Sequence, residues 1–290
     1  MILQKHNDDT IYAINDPRLY SQTSRTYQLS ETFSALNADD LDLISDCFVT
    51  IGAEANTGKS SFITHLGIDI LRHNPGTALL YYTLDDSKAM AARRIMSQLH
   101  GRNMRRDTPT DQELRDAIAN RIYLQDSINL RLIMRDAEIV MHSTRSDRII
   151  IAIDYLQIMP TDGQLLRESL NATVKELKEF QKAMNCLLLL VSQLNRSTDS
   201  TTYRYRETSE IENQSDVCLD MFHINEPGSK KPDYANQQRE IKCSKNKIGP
   251  KGAVFRTSID SHFRFSRLVR QGRQADSTNG KRLSEKDLLR

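Results

Sequence analysis

Phe48-Val49-Thr50-Ile51-Gly52-Ala53-Glu54-Ala55-Asn56-Thr57-Gly58-Lys59-Ser60-Ser61 is the stretch from which the rest of the chain can be read. A short apolar, β-branched run enters a loop of small residues. Gly-Lys-Ser then opens a segment, Ser60–His73, with an apolar helical face. Strand, glycine loop and helix in succession aim backbone N–H groups and a helix N-terminus at one point, which suits a phosphate group. The segment is read as the GxxxxGK[ST] pattern, with Gly52 taken as its first glycine. Lys59 is then expected to reach the β- and γ-phosphates, and the Ser60 hydroxyl to bind Mg²⁺. Gly52, Ala53, Asn56, Thr57, Gly58, Lys59, Ser60 and Ser61 make up the expected nucleoside-triphosphate cradle. A glycine turn before a helix with a surface lysine is the plainer alternative; the strand before and the helix after argue against it.

Outward from this loop the chain alternates. Apolar runs at Phe48–Ile51, Ala78–Leu84, Ile149–Ile153, Leu187–Val191 and Val217–Phe222 predict strands. Between them, Ser60–His73, Ser87–His100 (apolar at Met90, Ile95 and Leu99) and Leu165–Met184 (Leu166, Leu170, Val174, Leu177, Met184) predict helices. The pattern predicts an α/β fold, a mainly parallel central sheet flanked by helices, whose ligands bind at the carboxyl ends of the strands. Asp154 closes the run Arg148–Ile153, so a carboxylate at that strand end is expected to hold Mg²⁺, directly or through water. A helix-capping aspartate is the alternative. Arg239–Asn246, Ala253–Ile259 and Phe263–Leu268 alternate as antiparallel strands, with Gly249-Pro250-Lys251-Gly252 as a turn, forming a C-terminal antiparallel hairpin extension. Tyr203–Glu210 and Asn225–Asn236 read as loops. Three parts are expected: an N-terminal extension at residues 1–30 that could dock on a neighbouring subunit, an ATPase domain at 31–270, and a basic polar tail at 271–290.

The 290 residues, 38% of them hydrophobic, suit one large domain with short extensions. No apolar run approaches the ~20 residues of a membrane-spanning helix, so no membrane partner is expected. The polar start, Met1–Thr10, does not read as a secretory signal. The four cysteines form no CxxC pair, and three lie in apolar runs, so reduced buried thiols and a cytoplasmic setting are expected. A net charge of +2 does not by itself announce a nucleic-acid binder, although residues 1–46 are acidic and residues 261–290 are basic.

Five further segments, in order, resemble the DnaB-type replicative helicases, whose motor is a RecA-like P-loop NTPase domain. Leu84-Asp85-Asp86-Ser87 is similar to that family's Ser-Leu-Glu-Met-Ser, and Asp154-Tyr155-Leu156-Gln157-Ile158-Met159 to its Walker B segment. Ser192-Gln193-Leu194-Asn195-Arg196 matches its Ser-Gln-Leu-Asn-Arg motif. Arg206-Glu207-Thr208-Ser209 through Asp216 resembles its Arg-Glu-Ser-Gly stretch, and Lys245-Asn246-Lys247-Ile248-Gly249-Pro250-Lys251-Gly252 its Lys-Gln-Arg-Asn-Gly-Pro-x-Gly.

The resemblance implies roles. Asp85 orients the attacking water where the family has glutamate, although Asp85 and Asp86 could merely favour a helix start. Gln193 senses the γ-phosphate and links it to a DNA-facing loop. Arg206, Glu207 and Ser209, with Arg204 just before them between two tyrosines, hold single-stranded DNA. Lys245 and Lys247 complete the nucleotide site of the adjacent subunit; Lys247 stands where the family has an arginine finger and lacks its planar fork. With one residue between them on an extended segment, these two lysines are expected to face opposite ways.

The activity implied is an ATP-dependent DNA helicase or translocase moving 5′-to-3′, a hexameric ring acting in DNA replication, with a helicase loader, primase or host helicase among its partners. Residues 1–46 leave no room for the family's N-terminal helical domain, so a minimal motor is expected, of the kind a phage or mobile element encodes. Two rivals remain open at this point. One is an ATP-binding regulator or loader that joins or blocks another helicase. The other is a RecA-like recombinase, against which the segments at Ser192–Arg196 and Arg206–Asp216 argue.

Overall fold

Strands that are apolar on both faces need cover on both sides, and the chain supplies it from helices packed on the two faces of one sheet. The computed structural model describes residues 25–54, 56–104, 106–154, 166–196, 203–205, 209–224 and 236–271, with backbone alone at 166, 167, 195, 196 and 203–205. In chain order the elements are β1 Phe48–Ala53, α1 Lys59–His73, β2 Thr77–Thr83, α2 Lys88–His100, α3 Asp111–Leu114, β3 Ile122–Gln125, α4 Ile133–Thr144 and β4 Arg148–Asp154. Then come α5 Leu166–Met184, β5 Leu187–Arg196, β6 Tyr203–Tyr205, α6 Glu210–Gln214, β7 Val217–His223, β8 Gln238–Asn246, β9 Val254–Ser258 and β10 Val269–Arg270.

The sheet order is β10-β9-β8-β7-β1-β5-β4-β2-β3, with β6 paired to the end of β5. From β7 to β3 the neighbours are parallel; β8, β9 and β10 continue the sheet antiparallel. The fold is thus the expected α/β one, mainly parallel, with a C-terminal antiparallel extension. β1 sits inside the sheet between β5 and β7, so the loop that follows it emerges at the carboxyl edge beside the ends of β5 and β4.

Alternation along each strand divides the core. Val49, Ile51, Leu79, Tyr81, Ile150, Ala152, Leu189 and Val191 face α1, α2 and the segment Tyr27–Ile44. Phe48, Leu80, Tyr82, Ile149, Ile151, Ile153, Leu188 and Leu190 face α4, α5 and α6. Leu170, Val174 and Leu177 of α5 are fully buried, as their helical spacing requires. α1 is enclosed further: Phe33 and Phe265 pack edge-on against Phe62, bringing segments from near both ends of the described chain onto one helix. All four cysteines are buried, and none is bonded to another. No helix among the described residues is long and apolar enough to cross a membrane.

Several local expectations need correction. Met90 points to solvent, and Ala91 takes the buried place on α2, because the helix face turned to the core is set by Ile95 and Leu99. Phe263–Leu268 is not a strand; an isolated bridge joins Ile259 to Phe265, and the third antiparallel strand is β10. Asp260 Oδ1 accepts the N–H groups of His262 and Arg264, which curls this segment into a turn. Tyr203–Glu210 is not all loop: Tyr203–Tyr205 pair with Leu194–Arg196, and this pairing carries β5 past Val191. Weakly apolar β3 and the Ile133–Thr144 helix add to the elements expected from periodicity. The readings for residues 1–24 and 272–290 lie outside the described residues.

Candidate functional site

At the carboxyl edge, β1 ends in the loop that leads into α1. Gly58, the residue before the helix, has φ 97°, a region L side chains avoid, and Asn56 has φ 60°, which asparagine tolerates better than most. The loop is tied internally: Thr57 Oγ1 donates to the Glu54 carbonyl at 2.6 Å, and Lys59 Nζ donates to the same carbonyl at 3.2 Å. The reading of Gly52 as the pattern's first glycine is corrected. Five residues separate it from Gly58, and Gly52 lies inside β1, paired with Ser192 and Asp220. Ala53, fully buried at the strand end, takes the first small position of the loop.

A cavity of about 450 Å³ opens beside this loop, within the roughly 300–1,000 Å³ usual for ligand pockets. Its lining brings together Lys59, Ser60, Asp85, Asp154 and Gln193, which lie far apart in the chain. Gln193 stands next to Ala53 in the parallel register of β1 and β5, inside β5 rather than at its end. Asp154 closes β4 and is buried. Tyr81 on the neighbouring strand donates its hydroxyl to Asp154 Oδ2 at 2.8 Å. Burial pushes the Asp154 carboxyl up, while hydrogen bonds from Ser60 and Tyr81 and the charges of Arg94 and Lys59 draw it down. Burial lowers the Lys59 ammonium, and Asp154 and Asp85 oppose that shift.

The two adjacent acids after β2 differ in what holds them. Asp86 is ion-paired with Arg94, and its backbone carbonyl accepts from Thr83 Oγ1 at 3.0 Å. Asp85 is exposed at the cavity and makes no hydrogen bond or ion pair among the described residues. The helix start is served by Ser87, whose hydroxyl accepts from the Met90 N–H. Sequence reasoning missed Tyr81, Arg94 and Arg239. Tyr81 looks like an ordinary apolar strand residue. Arg94 lies one turn of α2 away from Met90 with no motif around it, although its Nη1 is buried without a partner among the described residues. Arg239 reads as a hairpin-edge charge.

The donor set fits Mg²⁺ held together with a triphosphate. Ser60 and Asp154 bring two oxygen donors together at the loop, a set that would hold Mg²⁺ with phosphate oxygens completing its shell.

The remaining expected residues lie elsewhere. Arg206 and Glu207 lie outside the described residues, and of Arg204 the backbone alone is described, in β6. Ser209 is exposed just before α6, with φ −76°. Lys245 and Lys247 sit at the far end of β8, where Asn246 pairs with Val217, at the edge of the sheet opposite the phosphate loop. They do not face opposite ways. Lys245 Nζ donates to the carbonyls of Glu212 and Asn213, and Lys247 Nζ to that of Asn213 at 3.4 Å, with Asp216 Oδ1 3.7 Å away. Residues i and i+2 share a face on an extended chain, and the last carbonyls of α6 attract both cations.

Comparison with known proteins agrees with this geometry. The profile described as DnaB-like helicase C-terminal domain matches residues 28–267. The replicative DNA helicase DnaB of Mycobacterium intracellulare is 23% identical over 235 residues, covering 72% of this chain and 39% of that protein; the chain thus spans well under half of that relative's length. A DnaB-like replicative helicase whose structure was described with its interactions with primase superposes with a TM-score of 0.69 at 16% identity, over 90% of this chain and 68% of that one. A second solved structure, described as an ATPase domain, superposes at 0.66 and 17% identity, over 87% of this chain and 95% of that one. These likenesses show a shared RecA-like fold, and with the profile match over most of its length, the chain belongs to the family of DnaB-like helicase C-terminal domains.

Proposed function

We propose that this protein is an ATP-driven DNA helicase or translocase, working as a ring of identical subunits that moves 5′-to-3′ on single-stranded DNA during replication. The observation that supports it best is the convergence of Lys59, Ser60, Asp85, Asp154 and Gln193 on one cavity at the phosphate loop. Mg²⁺, held by Ser60 and Asp154, would neutralise phosphate charge. Lys59 binds the terminal phosphates. Asp85, exposed at the cavity, accepts a hydrogen bond from the attacking water and orients it. Gln193 reads the terminal phosphate and is joined through β5 to β6, the strand that leads to the proposed DNA loop at Arg204, Arg206, Glu207 and Ser209.

Lys245 and Lys247 serve the neighbour's site. Their own phosphate loop lies about 25 Å away, the span of β8 at roughly 3.3 Å per residue, and that distance argues against a role in the same subunit. Residues 1–30 dock on an adjacent subunit, and primase or a loader binds the assembled ring.

The test is DNA-stimulated ATP hydrolysis and fork unwinding. Lys59→Ala abolishes both, and Asp85→Glu keeps or raises both. Equal hydrolysis by isolated subunits and by the ring, unaffected by DNA, would sink the shared-site mechanism. A second reading, an ATP-binding regulator or loader for another helicase, is favoured by the engagement of both lysine amines with α6 of their own chain and by the short Asp85 carboxylate. Robust unwinding by the protein alone rules it out.

A further inference from the structure

Arg239 is the second residue of β8, at the edge of the sheet that carries the phosphate loop, and it is buried. Its Nε donates to the Thr57 carbonyl inside that loop at 2.8 Å. Nη1 donates to the carbonyls of Asn236 at 2.6 Å and Gln238 at 2.8 Å. Every partner is a neutral carbonyl. Nη2 has no hydrogen-bond partner and the guanidinium no ion pair among the described residues, yet the residue lines the nucleotide cavity beside Ile259 and Phe263. The cavity wall on this side is held in a costly shape: Phe263 has φ 64°, rare for a bulky residue, and its carbonyl is pinned by Gln98 Nε2 at 2.7 Å.

A buried guanidinium costs several kcal/mol in an apolar setting unless negative charge meets it. Two other well-buried arginines follow that rule: Arg94 has Asp86, and Arg148 has Asp46. Arg121, also held by carbonyls, lies on the last turn of α1, at the negative end of that helix. Arg239 has a cavity where these have their counter-charge. We infer that Arg239 is a nucleotide-binding cation, whose free Nη2 meets a phosphate oxygen of the bound nucleotide on the side of the cavity away from Asp85 and Asp154, while its Nε braces the phosphate loop. This rests on the nucleotide-site reading above and adds a residue to it. The contact lies away from the hydrolysed bond, so it contributes equally to ADP and ATP, and its loss raises KM and leaves kcat.

The experiment titrates fluorescent ADP and ATP analogues against the full chain and its Arg239→Lys and Arg239→Gln variants, with thermal unfolding to verify the fold. Lysine keeps the charge and loses the fork; glutamine keeps an amide donor for Thr57 and loses the charge. Charge-assisted hydrogen bonds to phosphate predict that Arg239→Gln weakens both nucleotides by about 10- to 100-fold and that Arg239→Lys stays within about 5-fold. Equal binding by Arg239→Gln and wild type overturns the inference. So does an equal loss in both variants, which would make Arg239 a strut alone. Should one variant fail to fold, the other still decides: a folded Arg239→Lys that loses about 10-fold or more counts against a cation role, and a folded Arg239→Gln with wild-type affinity does so too. If the wild-type chain itself binds neither analogue, the nucleotide-site reading falls and takes this one with it.

Discussion

His65 fastens the C-terminal segment to the helix behind the phosphate loop, and its replacement by asparagine makes that fastening measurable. Its Nδ1 accepts the Phe265 N–H at 3.0 Å, so the ring is neutral with its proton on Nε2. Phe33 packs edge-on against the ring and Phe265 lies over it. Burial lowers the imidazole from 6.5 to about 4; Asp69 and Asp260 oppose that, and Arg72 and Arg264 add to it. The unfolded chain therefore binds a proton that the folded chain refuses. Stability from this group is fully present above pH 6.5, declines as pH falls, and is exhausted near pH 4. At 1.36 kcal/mol per unit the whole effect is about 3 kcal/mol, of which about 2 kcal/mol is lost between pH 7 and pH 5. Asparagine offers an amide oxygen to Phe265 and does not titrate. His65→Asn will cost some packing at pH 7, but the drop in stability from pH 7 to pH 5 should be smaller than wild type's by about 2 kcal/mol. Urea unfolding followed by circular dichroism at both pH values measures this in a chain without tryptophan. If wild type and variant lose the same stability on acidification, the neutral-acceptor role of His65 is wrong.

Two further substitutions test the site from other directions. Tyr81→Phe removes the 2.8 Å hydrogen bond to buried Asp154; it should cost about 1–3 kcal/mol in urea unfolding and raise the Mg²⁺ concentration needed for half-maximal ATP hydrolysis, and an unchanged Mg²⁺ titration would argue that Asp154 does not hold the metal. Lys247→Arg restores a planar fork at the proposed subunit-facing end of β8; it should raise ATP hydrolysis by about 10-fold or more in the assembled form and leave nucleotide affinity of the isolated subunit unchanged, whereas no gain on assembly would count against a role in the neighbour's site.

Short-range pattern alone decided a good deal about this protein. The five apolar runs and three main helices stand where their periodicity placed them, because burial on both faces of a parallel sheet leaves a strong local signature. The phosphate loop and the strand-end position of Asp154 were equally legible, since the chemistry depends on neighbours in the chain. Other features depended on residues far apart in the chain. Only the folded sheet showed that Asp86 is taken by Arg94 while Asp85 faces the cavity, that Tyr81 supports Asp154 across β2 and β4, and that Met90 turns outward. Only the antiparallel run of β8 puts Arg239 against the phosphate loop and Lys245 at the opposite edge. Two basic residues on one strand look alike in a sequence; the direction of the strand through the sheet separates them. A charge takes its meaning from what burial leaves beside it, and that is a property of the packed chain.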